Sequence, residues 1–202
     1  MTQPTVGVLA LQGDVREHLV AAERLGVRGV MVRRISDLDA VDALIIPGGE
    51  STTIWKLART FEVFEAVAGR IKAGMPTFGT CAGMVLLADR LLDGAEGQET
   101  FGGLDITVRR NAFGRQVDSF ESEVTFAIDG PQFTDPVHAV FIRAPWVEDV
   151  GPDVEVLASV SVSGGGDRIV AVRQGPVMAT SFHPEVSDDL RLHRHFLDLI
   201  SR

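Results

Sequence analysis

The sequence predicts an α/β fold: a mostly parallel central sheet flanked by helices, with antiparallel strands added in its second half. Three observations carry that expectation. Short apolar runs alternate with amphipathic stretches through the first hundred residues. The second half breaks into short β-branched runs separated by Gly, Pro and Asp. Finally, 45% hydrophobic residues over 202 positions supply a substantial core, enough for a single domain spanning residues 1–202.

In chain order, "TVGVLAL" (5–11) reads as a buried strand and "DVREHLVAAERLG" (14–26) as a helix closed by Gly26. "GVMVRR" (29–34) and "ALIIPGG" (43–49) are further strands. "TFEVFEAVAGRIKAG" (60–74) is a helix, "MPTFG" (75–79) a strand and "CAGMVLLADRLL" (81–92) a helix. Strands alternating with helices imply parallel pairing with both faces covered. After residue 100, "LDITVRR", "SEVTFAI", "HAVFIRA", "VEVLASV", "RIVAVR" and "VMATSF" read as strands, and "SGGGD" (163–167) as a hairpin tip. "SDDLRLHRHFLDLISR" (187–202) closes the chain as a helix capped by Ser187.

Bulk properties exclude several functions. A net charge of −9 opposes nonspecific binding to nucleic acid or an anionic membrane, although "RRNAFGR" (109–115) is a local basic patch. One cysteine cannot form an internal disulfide. The first residues lack the basic and long apolar regions of a signal peptide, and no apolar run approaches the length of a membrane span. The expectation is a soluble, cytoplasmic protein. No G-x-G-x-x-G turn stands between strand and helix, and no thiolate cluster is available, so neither cofactor nor metal is expected.

That single cysteine, Cys81, stands in "GTCAG", between a strand ending at Gly79 and a helix starting near Ala82. G-x-C-x-G has the spacing of the G-x-S-x-G nucleophile elbow, in which a tight turn raises the nucleophile at the carboxyl edge of the sheet. The following helix aims its positive end at the sulfur, and the Ala82 N–H is an oxyanion donor. A lone cysteine is otherwise a small buried hydrophobe. Catalysis therefore requires a base within reach.

Of five histidines, His18, His193 and His195 lie in helical patterns with charged neighbours, which reads as a solvated face. His138 sits beside a strand and fits either reading. His183 follows "VMATSF" at a strand end, and Glu185 comes two residues later. In extended chain, positions i and i+2 share a side, so the carboxylate can hold the imidazole. This gives a Cys81–His183–Glu185 arrangement in which the acid fixes the tautomer. A second glycine turn, "IIPGGEST" (45–52), is either a plain strand-to-helix turn capped by Ser51 or Thr52, or a source of a further oxyanion donor facing the sulfur, from Gly48 or Gly49.

Together, "PGGES", "GTCAGM" and "SFHPE" resemble the class I (triad) glutamine amidotransferases. "VGVLALQGDVREH", "PGGESTTIWKL", "RRNAFGRQVDSFE" and "VFIRAP" narrow the resemblance to the glutaminase subunits of pyridoxal 5′-phosphate synthases, over roughly residues 6 to 186. The resemblance implies a flavodoxin-like glutaminase fold, with Cys81 as nucleophile, His183 as base and Glu185 as orienting acid. It also implies that Gly49, Glu50, Ser51, Arg110, Ile142 and Arg143 bind L-glutamine, and that Gln12 serves the oxyanion hole or an interface. An arginine fork suits the α-carboxylate, and strand alternation lets only one of Arg109 and Arg110 face the pocket. The implied partner is a separate synthase subunit with a (β/α)₈ barrel, which receives the ammonia for vitamin B6 synthesis. Such subunits are poorly active until docked, and reorienting one peptide of "PGGES" would suffice as the switch.

Three other readings compete. A glutaminase feeding imidazole, anthranilate or purine nucleotide synthesis would share the triad but not "NAFGRQVDSFE". A Cys–His hydrolase or stress protein would leave "PGGES" and Arg110 without purpose. A noncatalytic relative would have no reason to keep Cys81, His183 and Glu185 together.

Overall fold

The computed structural model of the chain describes residues 4–110, 112, 119–128, 130–162 and 166–200. In order, the elements are β1 (Thr5–Leu9), α1 (Val15–Arg24), β2 (Arg28–Val32), α2 (Ile35–Leu38), β3 (Ala43–Ile46) and α3 (Ser51–Thr60). They continue with α4 (Phe64–Lys72), β4 (Thr77–Thr80), α5 (Ala82–Leu87), β5 (Ala88–Leu92), β6 (Leu104–Arg109) and β7 (Ser119–Val124). The last are β8 (Val137–Ile142), β9 (Trp146–Val150), β10 (Glu155–Val162), β11 (Gly166–Gln174), β12 (Val177–Thr180) and α6 (Arg191–Ile200).

Among the described residues, ten strands form one sheet in the order β2-β1-β3-β4-β12-β11-β9-β6-β5, with β10 paired to β11. The block from β2 to β12 is parallel throughout. The order of strand addition, not the strand direction, reverses between β1 and β3, the crevice where open α/β sheets place ligands. Beyond β12 the pairing turns antiparallel through β11, β9 and β6. β7 and β8 form a separate antiparallel pair.

Side-chain alternation divides the core. Leu44 and Ile46 of β3 join Ile54, Val67 and Met84 beneath α3, α4 and α5, whereas Ala43 and Ile45 join Phe78, Leu192 and Phe196 beneath α6. A parallel strand buried on both faces must be apolar at every position, and β3 (ALII) is. No helix among the described residues is long and apolar enough to cross a membrane.

Several boundaries differ from the sequence reading. The helix expected over 81–92 stops at Leu87; residues 88–92 become β5 because β6 offers them a parallel partner, Ala88 opposite Leu104. The turn after "PGG" opens a full helix, α3, and its cap is Glu50 rather than Ser51 or Thr52. The helix expected over 60–74 begins only at Phe64, after Glu62 takes a left-handed φ of 58°. Ser187 does not cap the last helix, which begins at Arg191. The Ser187 hydroxyl instead closes the preceding turn, accepting from Asp189 N–H and donating to Pro184 O. Strand β9 was not anticipated. Residues 163–165 of the expected hairpin tip lie outside the described residues, and Val162 pairs with Gly166 across it.

Phe196 anchors α6 to the sheet, fully buried with its ring 5.6 Å from that of Phe78. Phe196→Ala is expected to cost about 3–5 kcal/mol of unfolding free energy, read as a lower urea midpoint at unchanged slope.

Candidate active site

The elbow forms where β4 runs out. Thr80 pairs with Thr180 of β12, and the Cys81 N–H donates to Thr180 O at 2.8 Å. Cys81 itself turns to φ 48° and ψ −101°, a strained conformation for a residue with a side chain. Its flanking glycines are required by close approach: a Cβ on Gly83 would lie 2.1 Å from the Ile46 carbonyl oxygen, and one on Gly79 2.6 Å from the Gly83 backbone. The sulfur reaches the wall of a cleft of about 520 Å³ lined also by Gln12, Glu50, Arg110, Arg143 and His183. Across the cleft, the Ile142 carbonyl lies 3.9 Å from Sγ.

His183 stands three residues beyond β12, its N–H donating to Val140 O at 3.0 Å. Its imidazole lines the same cleft as Cys81, while Nδ1 lies 2.8 Å from Glu185 Oε1 and 3.2 Å from Asp14 Oδ2. The sequence anticipated this His–Glu contact through extended chain. It is made instead through a short 3₁₀ turn, Pro184–Val186, which folds the carboxylate back under the ring. Burial works against charging His183, but hydrogen bonds to Asp14, Cys81 and Glu185 overcome it and push its pKa up to about 12. Burial raises the Glu185 carboxyl, with His183 pulling the other way. Asp14, His183 and Glu185 bring donor atoms within 4.8 Å of one another, with the one Nδ1 lying between the two carboxylates.

The glycine turn packs directly on the imidazole, since a Cβ on Gly48 would sit 2.3 Å from His183 Cε1. The expectation that Gly48 donates to an oxyanion is corrected by its bonding. Its N–H donates to Thr80 Oγ1 at 3.0 Å, and its carbonyl accepts from Asp14 N–H at 3.1 Å. Gly49 and Ala82 line the cleft. Gln12 Oε1 accepts from Glu50 N–H at 2.8 Å, which fixes the start of α3. The Glu50 carboxylate accepts from Thr52 and Thr53 N–H groups and meets Arg110 at 2.9 Å. Burial would raise its pKa, yet the bonds from Thr53 and Thr52 leave it lowered.

Alternation separates the two arginines as expected. Arg110 lines the cleft, whereas Arg109 pairs outside it with Glu148 and Asp93. Residues 111 and 113–118 of the basic stretch lie outside the described residues. Ile142 and Arg143 both line the cleft, Arg143 with a left-handed φ of 44°. Ser51 is at the cleft, but its hydroxyl accepts from Gln98 Nε2 at 3.1 Å. Gln98 also meets Thr52 and Arg110. Sequence reasoning passed over Gln98, Asp14 and Thr80. Only Thr80, inside the elbow motif, carried a local signal.

Three histidines overturn the expectation of a solvated face. His18, His193 and His195 are all buried, with His18 wholly inaccessible. His18 Nδ1 lies 2.9 Å from His193 Nε2, and His18 Nε2 lies 3.2 Å from Thr80 Oγ1. Their charged neighbours in sequence face outward on the other side of each helix, which hid the burial. His138 is half-buried on β8, its ring between Glu121 and Glu123.

A thiol on a strained bend, backed by imidazole and carboxylate in an open α/β sheet, is the arrangement of a glutamine amidotransferase. A crystal structure of a glutamine amidotransferase, 48% identical, covers 98% of this chain and 99% of its own, with a TM-score of 0.86. A putative GMP synthase subunit from Thermoplasma acidophilum shares the fold at 16% identity and a TM-score of 0.68, over 100% of this chain and 96% of its own. The chain belongs to the SNO glutamine amidotransferase family, whose model matches residues 8–202. Curated relatives called pyridoxal 5′-phosphate synthase subunit PdxT include one from a Nocardioides species, 64% identical over 99% of this chain and 98% of its own. Another, from Acidothermus cellulolyticus, is 60% identical over 98% and 95%.

Burial, aided by the nearby His193 and His183, lowers the His18 pKa well below its usual value, and burial takes His193 to about 4. As pH falls from 6.5 to about 4, the unfolded chain binds protons that the folded chain refuses, so stability drops. A His193→Gln variant cannot titrate there and should lose roughly 3 kcal/mol less across that window. Urea unfolding at pH 7, 5.5 and 4 measures the difference.

Proposed function

We propose that Cys81, His183 and Glu185 hydrolyse L-glutamine to L-glutamate and ammonia, and that the ammonia passes to a separate pyridoxal 5′-phosphate synthase subunit. The observation that carries this reading is that Cys81 and His183 line one substrate-sized cleft, with His183 Nδ1 held at 2.8 Å by Glu185.

In the reaction, Sγ attacks the side-chain amide carbon and the carbonyl oxygen becomes an oxyanion. Ala82 N–H, at the start of α5, and Gly49 N–H are the donors assigned to it. His183, held protonated by its two carboxylate neighbours, gives its Nε2 proton to the departing nitrogen, which leaves as ammonia. The neutral imidazole then takes a proton from water, whose oxygen attacks the thioester carbon. Glutamate departs, the sulfur leaves as the anion, and the protonated imidazole is restored beside it. Glu185 keeps the ring aligned throughout.

Arg110 receives the α-carboxylate of glutamine as a bidentate fork, and Glu50, an anion fixed at the α3 cap, receives its ammonium group. Gly49, Ser51, Ile142 and Arg143 complete the pocket walls. Gln12 acts from behind, by holding the Glu50 backbone. The whole chain, residues 1–202, works as one glutaminase domain in the cytoplasm. Its partner is a (β/α)₈-barrel synthase, a reading supported by relatives called pyridoxal 5′-phosphate synthase subunits.

The decisive experiment follows glutamate release by this chain alone, with the barrel synthase, and with other amidotransferase synthases. Strong activation by the barrel synthase alone is expected; activation by an imidazole, anthranilate or purine partner instead would reassign the pathway. In the active complex Cys81→Ala should abolish release, and retained activity would refute the mechanism. Arg110→Lys keeps the charge but loses the fork, and should raise KM for glutamine about tenfold or more with a smaller change in kcat.

A further inference from the structure

Behind the triad lies a polar chain that the reaction as written does not use. From α6, His193 Nε2 meets His18 Nδ1 at 2.9 Å. On the other side of its ring, His18 Nε2 lies 3.2 Å from Thr80 Oγ1 and 3.6 Å from Glu185 Oε2. Thr80 Oγ1 in turn lies 3.5 Å from Glu185 Oε1 and accepts from Gly48 N–H at 3.0 Å. All of these side chains are buried.

Proton counting selects one direction for the chain. Only one hydrogen can lie between the two imidazoles. If it sat on His18 Nδ1, then His18 Nε2 would present a lone pair to the Glu185 carboxylate. His193 would then carry its hydrogen on Nδ1, which is buried without a hydrogen-bond partner. An orphaned buried donor is costly, and a lone pair facing a carboxylate adds repulsion. If the hydrogen sits on His193 Nε2, both conflicts are relieved, and His193 Nδ1 is left with an unpaired lone pair instead of an orphaned donor. His18 then carries Nε2–H, which donates to Thr80 Oγ1 at 3.2 Å and brings its positive end within 3.6 Å of Glu185 Oε2, an oxygen with no hydrogen-bond partner. Thr80 accepts from Gly48 and His18 and gives its own hydrogen to Glu185.

We propose that His18 and His193 are positioning residues of the glutaminase: His193 locks His18 in its Nε2–H form, so that His18 and Thr80 hold Glu185 ionised and aligned beneath His183. The inference rests on the triad reading. It assigns the pair no contact with substrate. The groups around Glu185 are His183 and Thr80 beside it, His18 from α1, Asp14 through His183, and Arg16, Glu17, Arg24 and Asp188 along the groove that Glu185 also lines.

The test has two parts. In the unmutated full chain, nitrogen-15 NMR of the histidines should show both His18 and His193 protonated at Nε2 near neutral pH. Finding His18 protonated at Nδ1 would overturn the proposal without reference to activity. In the activated complex, His18→Leu should lower kcat about tenfold, the order expected for losing the hydrogen bond to Thr80 and the N–H facing the buried carboxylate, with little change in KM. The acid limb of the rate profile should move to higher pH, because Glu185 loses a donor and protonates sooner. His18→Gln, whose amide can reach where Nε2–H lies, should recover most of both losses. Were the pair mere core filling, Leu would be tolerated at least as well as Gln and the profile would not move; that result refutes the proposal. Cys81→Ser, assayed alongside, separates the two failures: activity surviving that change would sink the triad itself.

Discussion

The parallel pairing of β4 with β12 is the constraint on which the rest of the molecule depends. Thr80 lies opposite Thr180, so the two strands end level at the same rim of the sheet. One residue further on the first strand is the sulfur; three residues further on the second is the imidazole. A hundred residues of sequence separation disappear in a single register, and that register is over-determined. Phe78 and Met178 fill one face, while Ala179 joins the core on the other. A slip by one residue would exchange these faces and turn apolar side chains toward the wrong layer. The geometry of the site is thus as secure as the core beneath it.

That security permits strain. Cys81 at φ 48° and Arg143 at φ 44° both occupy a region L-residues avoid, and both border the cleft. Each left-handed residue of this kind costs about 1–3 kcal/mol and persists only where surrounding structure holds it. Cys81 is held by its N–H to Thr180 and by glycines whose missing side chains let the bend press against Ile46. The strained bend turns the sulfur to the cleft wall, although Cys81 as a residue stays buried.

The sequence disclosed what is encoded locally. The elbow spacing, the glycine turn and the H-P-E tripeptide each occupy a few neighbouring residues, and each fell at the rim where the alternating pattern placed strand ends. Alternation also separated Arg109 from Arg110 correctly. What remained hidden is set by tertiary partners. Residues 88–92 carry a plausible helical pattern and became a strand only because β6 lies alongside. His18 and His193 belong to different helices, and their charged neighbours suggested exposure, but the sheet brings both rings beneath it. Gln98 joins Ser51, Thr52 and Arg110 from a loop with no distinguishing motif. No periodicity reports a contact between residues 47 or 175 positions apart.

The two sides of the cleft also differ in what anchors them. Cys81, Gly49 and Glu50 hang from the central parallel block. Ile142 and Arg143 hang from the β7–β8 pair, which among the described residues shares no ladder with that block. Its connection runs through aromatic packing, with Phe141 stacked on Phe120 and 5.4 Å from Phe182, and through His183 N–H bonded to Val140 O. His183 is therefore clamped from both sides, by the Gly48 turn against its ring and by β8 at its backbone. Because packed aromatic contacts tolerate little sliding, displacement of the small sheet would be transmitted to the imidazole rather than absorbed. The thiol is placed by the rigid sheet alone, but its alignment with the base depends on both sheets keeping their relation.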